Sequence, residues 1–471
     1  GAPAPAPTFA AAAPAKQEPE KRELPLYAVR WTPATASDAT AEQVAPFFVD
    51  LGKEPSEAQL AAEVAAARAG KPIMAACSAM AGVLSGEPLE VEVRQAWHFV
   101  QMVQRLLEEG CAGRLVLVCP AAASGAMVAG ASKAVALEAS ELQIQRIFLP
   151  SAELESVEAR AGELLGLARR HAQEVDLWVQ DDVLRGTVFA PRLEPMPEPS
   201  TRLPCFPKRS PDGSLPVFIL TGATGGLGKA VVEWMLKEQG LLPEQLVLLR
   251  RAGSAPLAGD LAACRAIEVE RVDSEMALLA SPLRELRSVA GILHLAGVLD
   301  DGIVQGMTEE RMRKVARPKC DLLAALLRAG KALAWPLRWA VGFSSTSSLF
   351  GYPGQVNYCA ANAVLDQLAA FGGAGPLPEG DQAPCRVLAI NWGPWAEAGM
   401  AKVGTKAYEQ ALQDGDTPLP NATALACLAA ALRVAAQAQP AAAQFCACDV
   451  DWLRSQWRHL PILELLGDDL G

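Results

Sequence analysis

Residues 216–230 read PVFILTGATGGLGKA, and no other stretch constrains the fold so tightly. An apolar run, Val217-Phe-Ile-Leu220, enters a glycine-rich turn and leaves into a helical pattern, Lys229-Ala-Val-Val-Glu-Trp-Met-Leu236. A strand that turns into a helix over a few glycines begins a βαβ unit, so a doubly wound parallel sheet is expected around it. Gly222, Gly226 and Gly228 keep a TGxxxGxG spacing, with Thr221, Thr224, Gly225 and Leu227 completing the turn. Without Cβ atoms the backbone can approach a pyrophosphate, whose charge then sits at the helix N-terminus. Glycine turns are common; the strand before and the helix after give this one its weight.

The next strand-like run, Gln245-Leu-Val-Leu-Leu249, ends in Arg250-Arg251. A dinucleotide fold reads the adenosine ribose about 20 residues past its glycines. An acidic residue there would bind a free 2′-hydroxyl, whereas two arginines suit a 2′-phosphate and point to NADPH. The alternative is a merely solvated pair. Val272-Asp273-Ser274 reads as the end of another strand, where Asp273 could accept from an adenine amine. In Gly291-Ile-Leu-His-Leu-Ala-Gly297 the small Ala296-Gly297 end lets the chain pass close to a cofactor ribose. His294 reads as a satisfied packing residue.

A third strand-like run, Trp339-Ala-Val-Gly-Phe343, ends in serines. Ser345 precedes Tyr358 by thirteen residues, and Asn362 follows Tyr358 by four, one helical turn on the same face. A serine hydroxyl that holds a carbonyl oxygen and a tyrosine that gives it a proton make a carbonyl-reducing site. A lone tyrosine in a strand–helix unit is also an ordinary packing residue, so the assignment needs its neighbours.

Together these motifs resemble the short-chain dehydrogenase/reductases, and more narrowly the ketoreductase domains of modular polyketide synthases. Most of the superfamily carries Tyr-x-x-x-Lys, but here the motif is Tyr358-x-x-x-Asn362. The synthase domains exchange the lysine and asparagine positions. The resemblance therefore implies Lys319, in Ala316-Arg-Pro-Lys319, as the cation beside the tyrosine, with Lys314 as backup. It implies that Ser345, Tyr358, Lys319 and Asn362 reduce a 3-ketoacyl thioester on an acyl carrier protein, with NADPH as cofactor and other synthase domains as neighbours. Leu26-Tyr-Ala-Val-Arg-Trp31 is similar to the family's entry strand. Asn391-Trp-Gly-Pro-Trp395, running to Gly399-Met400, is similar to its turn after the nicotinamide, with Pro394 on the cofactor and Met400 toward substrate. About residues 396–425 resemble its lid, and the likeness extends over about residues 25–462. Leu299-Asp300-Asp301 resembles the LDD motif of B-type domains, and Phe350 stands where A-type domains carry tryptophan. Both imply a D-configured 3-hydroxyl, although paired aspartates also cap helices. Ala360, where epimerising B-type domains often carry proline, implies reduction without epimerisation.

At 471 residues the chain is long for one nucleotide-binding unit. The expected fold is α/β with two Rossmann-like doubly wound subdomains: a degenerate structural half at 25–205 and a catalytic half at 206–471. Strand-like runs in the first half include Phe47-Phe-Val49, Arg114-Leu-Val-Leu-Val-Cys119, Gln145-Arg-Ile-Phe-Leu149 and Leu177-Trp-Val-Gln180, with no glycine fingerprint. Ala129-Gly-Ala-Ser-Lys133 imitates Tyr-x-x-x-Lys with alanine for tyrosine, or matches it by chance. Pro-rich residues 191–212 read as the boundary, and residues 1–24 as a disordered Ala/Pro linker. The net charge of −11 argues against nucleic acid, and no apolar run is long enough to span a bilayer. Eleven scattered cysteines without a CxxC pair suit a reducing, cytoplasmic-type compartment, and four dispersed histidines give a metal site little support. A free-standing carbonyl reductase and a catalytically silent scaffold are the competing readings; the intact motif set argues against silence.

Overall fold

The computed structural model describes residues 24–37, 45–77, 89–121, 125–180, 186–196, 204–210, 213–271, 273–372, 385–399, 402–435 and 443–470. The expected linker, apart from Leu24, and Met400 lie outside the described residues. Among the described residues the strands are β1 (Leu26–Pro33), β2 (Phe47–Asp50), β3 (Ile73–Ala76), β4 (Gly113–Pro120), β5 (Leu142–Leu149), β6 (Asp176–Val179), β7 (Val188–Pro195), β8 (Val217–Thr221), β9 (Leu246–Arg251), β10 (Arg265–Val269), β11 (Val289–His294), β12 (Trp339–Ser345), β13 (Arg386–Trp392), β14 (Asp416–Thr417), β15 (Gln444–Ala447) and β16 (Asp449–Val450). Fourteen of them form one sheet in the order β10-β9-β8-β11-β12-β13-β15-β1-β7-β6-β5-β4-β3-β2.

From β10 to β15 the strands are parallel, and the order reverses between β8 and β11. Such a reversal opens a crevice at the carboxyl ends of the strands. Both faces of this sheet are covered. Ile219, Val247, Ile292 and Ala340 enter one core, while Phe218, Leu220, Leu248 and Leu293 enter another. Neighbouring residues point to opposite faces, so these strands read as unbroken apolar runs.

In the N-terminal part β2 to β6 are also parallel, but they run in chain order with no reversal. β1 joins the two parts. It pairs antiparallel with β15 on one side and with β7 on the other. Residues 191–212 are therefore not a plain boundary, because β7 continues through Pro191 to Pro195 opposite β1. The prolines are tolerated because β7 meets β6 only at Val188 and Phe189, before the first of them. A proline needs a strand side where its missing N–H is not called on.

A pair of helices reinforces the join. Helix Ala126–Glu138 packs on helix Val356–Gly372 with Gly130 at the crossing. A Cβ at Gly130 would stand 2.4 Å from the Cys359 carbonyl oxygen and 2.6 Å from the Ala363 Cβ. The tyrosine-like motif at Ala129 lies on this first helix, and its Lys133 donates across the join to the Leu349 carbonyl at 3.2 Å. All eleven cysteines are free thiols, and no helix among the described residues is long and apolar enough to cross a membrane.

Gly130→Ala should destabilise the protein. An alanine in a helix gains about 0.5–1 kcal/mol over glycine, but forcing a methyl against backbone costs about 1–3 kcal/mol. Gly162→Ala, in helix Ala161–Arg170 with open space around it, should instead hold or raise stability. Urea denaturation of the two variants checks this; equal effects would mean that the crossing is loose.

Candidate active site

The glycine turn is shaped by its neighbours before any ligand is considered. Gly222 has φ +69°, and a Cβ there would stand 2.7 Å from the Ala296 nitrogen. A Cβ at Gly228 would stand 2.4 Å from the Gly222 carbonyl oxygen, and one at Gly226 would stand 2.8 Å from the Gly399 nitrogen. Helix Gly226–Lys237 starts from Gly225 with no side-chain cap, so no side chain takes its first N–H groups. Thr224, Gly225 and Gly226 are exposed. An uncapped helix start behind an exposed glycine cradle fits a cofactor pyrophosphate.

The two arginines after β9 separate in role. Arg250 is buried; its Nη2 donates to the Ser254 and Ala255 carbonyls, each at 2.6 Å, and its Nε lies 3.1 Å from Glu268. It holds the turn. Arg251 is exposed, and its guanidinium has no partner among the described residues. Asp273 departs from expectation. β10 already ends at Val269, and Asp273 sits in a turn 3.9 Å from Arg271, just before Ser274 caps helix Glu275–Ala280. The Glu270-Arg271 pair interrupts the apolar run there.

At the end of β11, His294 is fully buried and bridges two parts of the site. Its Nδ1 lies 2.9 Å from Thr221 Oγ1, and its Nε2 lies 2.8 Å from the Lys319 carbonyl. The carbonyl can only accept, so Nε2 carries the proton and Nδ1 accepts from the threonine. Thr221 Oγ1 in turn accepts from the Ala296 N–H at 3.3 Å. Burial pushes the imidazole down to about 3, so it stays neutral, as this pattern requires. Sequence reading left His294 as packing; its flanking by apolar residues inside a strand gave no sign of either partner.

Lys319 sits in a π-helical turn, Arg317–Asp321, between helices Glu309–Ala316 and Leu322–Ala332. Pro318 has no N–H, and the Leu322 N–H reaches back five residues to the Arg317 carbonyl. Such turns are frequent at functional sites. The Lys319 ammonium donates to the Phe343 carbonyl at 2.6 Å and stands 5.5 Å from the centre of the Tyr358 ring. A Cβ at Gly297 would stand 3.1 Å from the Lys319 Cε, so that glycine makes room for it. Burial pushes Lys319 down from 10.5 to about 8. Lys314, the backup, is exposed and pairs with Asp300 at 3.0 Å, outside the cavity.

Ser345 ends β12 and caps helix Thr346–Phe350. Its Oγ accepts from the Ser347 N–H at 3.2 Å and from the Ser347 hydroxyl at 3.0 Å, which leaves its own O–H to donate. Tyr358, in helix Val356–Gly372, is half-buried, and burial pushes its phenol up to about 12. One turn on, Asn362 donates from Nδ2 to the Tyr358 carbonyl at 2.9 Å, while its buried Oδ1 has no partner among the described residues. Behind Ser345, the Asn391 Nδ2 donates to the Ser345 carbonyl at 3.1 Å and to Asp366 at 2.9 Å, and the Ser348 hydroxyl donates to Asp366 at 2.6 Å. Sequence reading missed this buried support. Its one local signal was an asparagine inside an apolar strand, where that residue is depleted.

Ser345, Tyr358, Lys319, Gly297, Leu227, Leu299, Asp301, Pro394 and Gly399 all line one cavity of about 330 Å³. Helix Lys406–Gln413 contributes Ala407, Gln410 and Ala411 to it. Asp300 does not line it and is held by Arg311 at 3.1 Å and by Lys314. Phe350 does not line it; its ring lies 5.0 Å from that of Trp457, which does, and 5.8 Å from that of Trp452.

Residues 216–397, which contain all of these polar groups except the more distal helix, match the family model described as KR domain. Over these residues the chain is a ketoreductase domain, like those of polyketide synthases. It is 37% identical over 225 residues to polyketide synthase GfsA of Streptomyces halstedii, covering 45% of this chain and 3% of that protein. It is 32% identical over 272 residues to the pikromycin polyketide synthase component PikAII of Streptomyces venezuelae, covering 54% of this chain and 7% of that protein. The chain thus spans a small fraction of these relatives' length. Its fold is like that of an A1-type ketoreductase, with a TM-score of 0.73 at 20% identity over 95% of this chain and 99% of that one. It is also like the first ketoreductase of the tylosin synthase, with a TM-score of 0.69 at 18% identity over 95% and 98% of the two chains. A KR domain implies an oxidoreductase that acts on a keto group with a nicotinamide cofactor.

The buried lysine gives the ketoreductase domain a pH signature. Below pH 8 folded and unfolded chains both carry the Lys319 proton. Between about 8 and 10.5 the folded chain sheds a proton that the unfolded chain keeps, so stability from this group rises with pH. Across that window the cofactor-free wild type should gain stability relative to Lys319→Met in urea denaturation. Parallel curves would mean that the ammonium is solvated.

Proposed function

We propose that the chain reduces the 3-keto group of an acyl chain carried on the phosphopantetheine arm of an acyl carrier protein, with NADPH as reductant, to a D-configured 3-hydroxyl. The observation that carries this is the convergence of the Ser345 hydroxyl, Tyr358 and the Lys319 ammonium on one cavity beside the glycine turn. Gly222, Gly225, Gly226 and the uncapped helix start would hold the pyrophosphate, Arg251 the 2′-phosphate, and Ala296, Gly297 and Pro394 the nicotinamide end. When bound, NADPH supplies the hydride. Ser345 donates its O–H to the ketone oxygen and stabilises the charge that develops there. Tyr358, which holds its proton firmly at neutral pH, protonates that oxygen. Lys319 keeps its charge up to about pH 8 and makes the phenol's proton easier to release. Asn362, buried one turn from Tyr358 and off the cavity wall, helps to relay protons or to hold the lysine. Residues 206–471 act as the catalytic half with a lid at about 396–425. Residues 25–205 act as a structural half that holds no nucleotide, and other synthase domains flank the chain.

Asp301 on the cavity wall and a core phenylalanine at 350 favour the B-type stereochemical course. A carboxylate on that lip leads the pantetheine arm in from its own side, which fixes the ketone face that meets the hydride. Ala360 is buried in its helix, and no epimerisation is expected.

The test is turnover of a carrier-bound 3-ketoacyl thioester followed by chiral chromatography. Wild type should give the D-hydroxyl, and Tyr358→Phe should lose roughly 10²–10⁴-fold in rate while still binding NADPH. An L-hydroxyl product overturns the B-type course, and near-normal turnover by the phenylalanine variant overturns the proton donor.

The two arginines separate by cofactor titration. Arg251→Ala loses a charge-assisted bond worth about 1.5–3 kcal/mol, so NADPH should bind roughly ten- to a hundredfold more weakly and NADH about as before. Arg250→Ala should lower stability and leave the NADPH/NADH ratio near that of wild type. The reverse pattern would hand the phosphate to Arg250.

A further inference from the structure

The wall that carries Asp301 continues into residues 302–307, and two side chains of the N-terminal half hold that segment. Glu138 closes helix Ala126–Glu138. One of its carboxylate oxygens accepts from the Val304 N–H at 2.6 Å, and the other accepts from the Gly354 N–H at 2.7 Å. Gly354 belongs to the turn that leads into the Tyr358 helix, and its own carbonyl accepts from the Gly302 N–H at 2.7 Å. Next to Gly354, the Gln355 Nε2 donates to Asp301 at 3.2 Å. Gln104, from helix Glu90–Glu108, donates its Nε2 to the carbonyls of Val304, Met307 and Gln305 at 2.8, 3.0 and 3.4 Å. From the catalytic half, Arg311 donates to the carbonyls of Asp300, Asp301 and Gly306 at 3.1, 2.6 and 2.9 Å. Residues 302–307 make no strand ladder beyond the single bridge of Gly302 to Gln355. Besides the turn bonds of the Gly306 N–H to Ile303 and the Met307 N–H to Val304, these side chains are what hold their backbone among the described residues.

We propose that Glu138 and Gln104 are positioning residues for the substrate: from the N-terminal half they set the place of the loop bearing Asp301 and of the turn before Tyr358. Neither lines the cavity. A dual acceptor and a multiple donor suit this task, because N–H and C=O groups that a ladder or turn leaves over can be paired by side chains. Glu138 reads both sides of the substrate entrance at once, so a shift of either segment costs it a bond. Misplacing a reacting group by about 1 Å can cost on the order of a hundredfold in rate. Neither residue bonds to the glycine turn among the described residues.

This rests on the ketoreductase reading, and the experiment keeps the two apart. Hydrogen exchange is measured on the full chain for wild type, Glu138→Gln, Glu138→Ala and Gln104→Leu. It is paired with KM and kcat for a 3-ketothioester, the D/L ratio of the product, and NADPH affinity by fluorescence. The amides of 302–307 and 354–355 should exchange faster in the variants, while those of the glycine turn and NADPH affinity stay as in wild type. KM should rise by about tenfold or more, with kcat falling less and the D/L ratio eroding. Glu138→Gln, which keeps one accepting oxygen, should lie between wild type and Glu138→Ala. Unchanged exchange in these amides overturns the proposal, as does faster exchange with unchanged KM and D/L ratio. Loss of protection throughout the chain makes the two residues stabilisers of the fold and also overturns it. A wild type that exchanges as described yet reduces no ketothioester overturns the underlying reading instead.

Discussion

Strand β1 carries the architecture. It lies antiparallel between β15, the last strand of the reversed sheet, and β7, the strand that returns from the N-terminal half. Without it, both neighbours would present open rows of N–H and C=O groups, a form of edge that proteins cover or charge. With it, the parallel strands of the two halves of the chain become one sheet of fourteen strands. That continuity fixes how helix Ala126–Glu138 meets helix Val356–Gly372, and Gly130 lets the two backbones close to contact. The second of those helices bears Tyr358, so the placement of the candidate acid depends on a strand far from it in sequence.

Inside the catalytic half a short relay does comparable work. Thr221, at the mouth of the glycine turn, is tied through the neutral His294 ring to the main chain of Lys319. The cofactor side and the cation therefore share one rigid strut, and a proton on both ring nitrogens would break it. The site accepts unfavourable terms nearby. Lys319 is 3% exposed, and among the described residues no carboxylate pairs with its ammonium and the buried Asn362 Oδ1 has no partner. A buried unpaired polar atom costs about 1–3 kcal/mol. Proteins keep such terms at functional sites and offset them elsewhere; here the Asp366–Asn391–Ser348 network and the wide apolar cores do so.

Much of this was legible in the sequence because it is local. The glycine spacing, the strands flanking it, the Tyr358–Asn362 turn and the serine at a strand end are patterns within a few residues of one another. Lys319 was legible only through the vacancy at 362, since a helix lysine alone signals solvent. What escaped depends on distant partners. β7 was hidden by Pro191 and Pro195, whose tolerance follows from where β6 stops. Arg250 and Arg251 are adjacent and alike, yet one faces two carbonyls and Glu268 and the other faces solvent. Asp273 followed an apolar pattern that ended earlier than the valine beside it suggested. Glu138 sits near a helix end like any solvated glutamate, and only the fold brings Val304 and Gly354 to it.

The two walls of the cavity are built by different means, and the difference follows from topology. Reversal of strand order between β8 and β11 opens a crevice and supplies a helix start, so the cofactor wall is made by backbone geometry and glycines. No such reversal exists among β2 to β6, so that half of the sheet has no switch point of this kind. Its contribution is made by side chains that reach across the join. Backbone geometry tolerates little sequence change, because a Cβ at Gly222 or Gly228 has nowhere to go. Side-chain grips can be lengthened, shortened or exchanged while the sheet stays intact. A domain built this way can keep the glycine turn fixed while the loop bearing Asp301 is adjusted from a separate part of the chain.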